Sequence, residues 1–112
     1  MTTNARRVIT LLEDECRGHA RRLTSREIGA RLGMAPKQVV DAVHELRNEH
    51  HKPIGSEPGR SAGGFWLIVD KAEAEATHDK LYGKAMATLK TCRALREHFR
   101  LDPPRLLDVL RN

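Results

Sequence analysis

Residues Leu23–Arg47 read LTSREIGARLGMAPKQVVDAVHELR, and this stretch decides the fold. Thr24 followed three residues later by Glu27 is the signature of a capping box, so a helix is expected to begin there. Ile28 and Leu32 lie four apart on one face, and Gly33 ends the segment. Pro36 then suits the first position of a second helix, where a missing N–H costs nothing. Val39, Val43 and Leu46 carry the apolar spacing forward, with Ala30 and Ala42 expected to let the two axes approach. Two short helices joined through Gly33-Met34-Ala35-Pro36 are therefore expected.

Two helices cannot enclose a core, and the flanking sequence supplies the remainder. Upstream, residues 4–17 place Val8, Leu11, Leu12 and Cys16 on one side of a helix that Asn4 is expected to cap and Gly18 to end. Residues 20–23, ARRL, form a short link. Downstream, Ile54–Ser56 and Phe65–Val69 flank EPGRSAGG. β-Formers on both sides of a Gly- and Pro-rich turn predict a β-hairpin, with Trp66 packed inward.

Helix, helix–turn–helix, then hairpin in this order resembles the winged helix-turn-helix family of DNA-binding domains, over residues 5–69. The Gly63-Gly64-Phe65-Trp66 wing strand and the long helix after it are most similar to small phage and prophage proteins of that family. The resemblance implies that the second motif helix enters the major groove, and that the ARRL link holds a stub of strand with Leu23 as its inward residue. It assigns base or phosphate contacts to Lys37, Gln38, Val40, Asp41 and His44, with Gln38 suited to adenine, Val40 to a thymine methyl and Asp41 to cytosine N4. Arg26, with Arg21 or Arg22, is placed against the phosphate backbone, and Arg60 at the wing tip against the minor groove or a phosphate. The acid at Asp41 departs from the family pattern, which favours Arg or Ser nearby.

From Asp70 the apolar period returns to three and four. Leu81, Ala85, Leu89, Cys92, Leu95 and Phe99 mark a helix over residues 71–99; their stripe is expected to pair with a second copy, the alternative being that it folds back on its own domain. Asp102-Pro103-Pro104 then predicts a short last helix. The expected organisation is a winged helix-turn-helix domain at 4–69 and a helical, dimerising extension at 70–112. The fold class is mainly α with a small β-hairpin.

Composition limits the function. The 112 residues carry a formal charge of +5, which favours an anionic partner. The charge is spread, with eleven Lys and Arg against eight acids over residues 1–69 and nine against seven afterwards. A nucleic-acid surface must then be assembled by folding. Cys16 and Cys92 are two isolated thiols, both expected to be buried. His50-His51 and Cys16-x-x-His19 fit no zinc-ligand spacing, and neither a metal nor a cofactor is expected. No nucleophile stands beside a base and no phosphate-binding loop opens a helix, so an enzyme is not expected. No apolar run reaches membrane-spanning length, and a cytoplasmic protein is expected. The sequence thus predicts a double-stranded-DNA-binding homodimer, a transcriptional regulator or replication accessory factor. The alternative is a winged-helix module that binds a host or phage protein.

Overall fold

In the computed structural model, residues 1–59 and 61–101 are described. The chain divides into two compact units, Met1–Thr77 and the segment from His78 onward. The first contains helix α1 (Thr3–Glu15), a 3-10 turn at His19–Arg21, α2 (Ser25–Leu32), α3 (Pro36–Asn48), and strands β1 (Ile54–Glu57) and β2 (Gly64–Leu67). Helix α4 (Lys71–Phe99) begins in the first unit and supplies the second.

Each start and stop has a local cause. The Thr24 hydroxyl accepts from the Glu27 N–H while the Glu27 carboxylate accepts from the Thr24 N–H, closing the expected capping box of α2. Gly33 then turns the chain at φ 67°, the left-handed region that glycine enters without strain. Pro36 opens α3. The start of α1 departs from expectation: Thr2, not Asn4, is its cap, and accepts from the Ala5 N–H. At the far end of α4, Arg100 takes φ 54° and the Leu101 N–H donates to the Arg96 carbonyl, an i to i−5 closure of the last turn.

The core of the first unit lies where α1, α2 and α3 meet β2. Val8, Leu12, Cys16, Ile28, Val39, Val43 and Leu46 are its largest fully buried side chains. Ala42 is buried as expected, but Ala30 is exposed. The close approach occurs one residue earlier, at Gly29, whose backbone lies against the Met34 carbonyl so tightly that a Cβ would overlap it. The preference for small residues at a helix crossing was legible, while the crossing point depends on how the turn folds back.

Strands β1 and β2 pair antiparallel, Ile54 opposite Leu67 and Glu57 opposite Gly64. The free edge of β2 is paired too. Leu23 and Phe65 exchange both backbone hydrogen bonds, and the Leu67 N–H donates to the Cys16 carbonyl while its own carbonyl accepts from Gly18. The segment following α1 thus locks the hairpin to the helices, with Leu23 in the short bridge that the resemblance implied. Trp66 is buried and its indole N–H donates to the Glu73 carboxylate in the first turn of α4. Asp70 caps that turn by accepting from the Glu73 N–H. These bonds carry the first unit beyond the expected boundary at residue 70.

Cys16 is buried and Cys92 exposed, both as free thiols. The exposure of Cys92 corrects the expectation of two buried thiols, because no residue of α4 is buried within the chain. The predicted short helix after Asp102 lies outside the described residues. Among the described residues, no helix is long and apolar enough to cross a membrane.

Candidate nucleic-acid interface

Helix α3 has two flanks with different neighbours. On one, Arg47 donates from its guanidinium to the Ile54 carbonyl and the Ser56 hydroxyl, fastening the helix to β1. On the other, the Glu45 carboxylate accepts from the N–H and hydroxyl of Thr2 and pairs with His50 at 3.2 Å. Hydrogen bonds from Thr2 hold the Glu45 carboxyl below the usual range, so it stays charged and committed to this joint. Gln38, Asp41 and Glu45 line a recess with Thr2 and Asn4 at the start of α1. Between the flanks, Lys37 and His44 are exposed and Val40 half-buried.

The hairpin flank of α3 opens into a cleft of about 570 Å³, lined by Thr24, Ser25, Arg26, Pro36, Glu57, Pro58, Gly59, Gly64 and Phe65. The first turn of α2, the first residue of α3 and the base of the hairpin loop all meet there. Helix geometry leaves the first N–H groups of α2 without intrahelical acceptors. That of Glu27 goes to Thr24, while those of Ser25 and Arg26 find no acceptor among the described residues. Arg26 and Lys37 are exposed and, among the described residues, unpaired with any acid. Glu57, the acid on the cleft wall, lies 3.0 Å from His19 and 3.4 Å from Arg22.

The sequence-predicted residues therefore separate. Arg26 stands on the cleft wall, and Lys37 adjoins Pro36 at its edge. Lys37, Val40 and His44 share the outward stripe of α3. Asp41 is exposed but leans into the recess beside α1. Gln38 is already engaged: its side-chain oxygen accepts from the Ala35 N–H at 2.8 Å, capping α3 where Ala35 has no side-chain acceptor of its own. Bidentate reading of adenine would require that bond to be released. Arg22 donates to the Ala62 and His19 carbonyls and braces the hairpin loop, a structural task rather than a free cation. Arg21 is exposed. Arg60 lies outside the described residues.

Sequence reasoning did not single out Ser25 or the Thr24 backbone as part of the site. The capping box at Thr24 was the available signal, since a capped start also marks where the open N–H groups point. Among the described residues, Cys16, His19 and His51 fall in no group of three or more possible ligands. The one grouping among the described residues with metal-binding proximity is Glu45, Glu49 and His50, where Glu45 is already satisfied by Thr2. Compared with known proteins, the chain matches no family model, no curated protein and no solved structure.

Proposed function

We propose that Met1–Thr77 is a winged helix-turn-helix domain that binds double-stranded DNA, acting as a small transcriptional regulator or replication accessory factor. The carrying observation is the cleft between the start of α2, the start of α3 and the hairpin, with exposed Arg26 on its wall and Lys37 at its edge. In this reading the outward stripe of α3 lies in the major groove, with Lys37, Val40 and His44 toward base edges or phosphate. Arg26 and the open N–H groups of Ser25 and Arg26 take a backbone phosphate at the cleft. The commitment of Glu45 to Thr2 and His50 supports this, because it withdraws one acid from the approaching phosphates.

A second reading has its own support. The first unit holds twelve Lys and Arg against eleven acids, a balance that suits a protein partner as well as DNA. The discriminating experiment is binding to random-sequence duplex over a salt series, with wild type, Arg26→Ala and Lys37→Ala. A substitution that removes one cation from a phosphate should flatten the log–log slope by about 0.9. Binding that neither substitution changes, or no binding at low salt, would refute the DNA reading and leave the protein-binding module.

A further inference from the structure

Besides Arg26, the cleft carries a wall that duplex binding leaves unused: Pro36 at the head of α3, Pro58 in the hairpin loop and Phe65 on β2. A phosphate takes cations and N–H donors, and has no use for three rings. The first unit contains two residues among Phe, Trp and Tyr, and these are Phe65 and Trp66. Alternation along β2 sends them to opposite faces. Trp66 is buried and bonded to Glu73, so its ring belongs to the fold. Phe65 packs against the core but is only half-buried, and it also lines the cleft. Pro36 and Pro58 are exposed.

We infer, on the DNA reading above, that the cleft takes one unpaired nucleotide beside a duplex, with its phosphate at Arg26 and its base against Phe65, Pro36 and Pro58. The volume agrees, since about 570 Å³ falls within the roughly 300–1,000 Å³ of small-ligand clefts. The chemistry agrees as well. Every base has a flat face that stacks on an aromatic ring, whereas a duplex keeps those faces inside its own stack. Glu57, the acid on the wall, stands 3.4 Å from the Arg22 guanidinium, which offsets its charge toward an arriving phosphate.

The relative costs select an unpaired base over one pulled from the helix. Extruding a paired base costs as much as one stacking contact returns, so an intact duplex gains nothing from the rings. A base that is already single-stranded avoids most of that cost. Stacking on one ring then raises affinity about tenfold. Because every base offers the same kind of face, the cleft distinguishes a junction of single and double strand from a blunt duplex without reading sequence. Lys37, at the edge of the cleft on α3, lies where the adjoining duplex would continue.

Fluorescence anisotropy of the full-length protein tests this with a blunt duplex and with the same duplex carrying a short thymine overhang of either polarity, at one salt concentration. An overhang of one polarity should tighten binding about tenfold. Phe65→Leu, which keeps apolar volume against the core, should bring the ratio of the two affinities close to one, and Phe65→Tyr should preserve it. Circular dichroism checks that each variant is folded. A probe with iodouracil as its first unpaired base supplies a test in unaltered protein: irradiation should form an adduct at Phe65, located by mass spectrometry. Equal affinities for both kinds of probe, a preference that folded Phe65→Leu retains, or irradiation that leaves Phe65 unmodified would overturn the inference while leaving duplex binding in place. Binding to no probe would overturn the DNA reading and this inference with it.

Discussion

Replacing glycine by alanine inside a helix ordinarily stabilises, and this chain contains two helical glycines for which the structure demands opposite outcomes. Gly83 in α4 has no atom within 4 Å of where a Cβ would stand. There Gly83→Ala should gain the helix-propensity difference, about 0.8–1 kcal/mol. Gly29 in α2 is buried, and its Cβ would fall under 3.0 Å from the Met34 carbonyl, a backbone group of the turn itself. A flexible side chain could move away from that contact, but this carbonyl belongs to the turn that sets α3. Overpacking of this kind costs about 1–3 kcal/mol, and the obstacle places Gly29→Ala in the upper half of that range. Subtracting the propensity gain leaves a net loss of about 1–2 kcal/mol. For a unit of this size that is a fall in Tm of roughly 5–15 °C. Urea denaturation followed by circular dichroism, at fixed protein concentration, measures both variants. A Gly29→Ala protein as stable as wild type, or more stable, would refute the packing of the α2–α3 turn described here.

Thr24→Ala removes the acceptor for the Glu27 N–H and should destabilise by about 1 kcal/mol, with Thr24→Ser largely restoring stability in the same assay. Hydrogen bonds from Thr24 depress the carboxyl of Glu27, as those from Thr2 depress Glu45. Stability from both groups is thus present above the unfolded carboxylate range and disappears as pH falls through their lower folded values. Glu45→Gln should therefore weaken the protein at pH 7 and flatten the acid limb of its stability profile; an unchanged limb would exclude the Thr2–Glu45 joint. Burial raises the pKa of Cys16, so in a Cys92→Ser protein the thiol should ignore a disulfide reagent until denaturant is added, then titrate as one equivalent. Reaction of native Cys16 at the unfolded rate would contradict its place in the core.

Much of this was legible because the decisive signals are local. The Thr24–Glu27 box, the left-handed Gly33, Pro36 at the head of α3 and the strand residues around Trp66 act within a few positions of themselves. The range of α4 followed from its period for the same reason. What escaped the sequence involves partners distant along the chain. Nothing near Thr2 announces that it will bind Glu45, and Arg47 looks like any surface arginine until β1 turns back under it. Gln38 shows how this alters a functional reading: its spacing on α3 suits a base contact, yet Ala35 lacks a capping oxygen and recruits the same amide. Ala30 was misplaced because helical spacing identifies a face without fixing where two axes cross.

The most direct measurement for the proposed function is an amide chemical-shift map of isotope-labelled full-length protein titrated with a short random-sequence DNA duplex at low salt. Shifts should concentrate at Thr24–Arg26, at Lys37, Val40, Asp41 and His44, and in the loop joining β1 to β2, and reverse as salt is raised. Shifts confined to α4, or none at concentrations well above the expected dissociation constant, would contradict the proposed function.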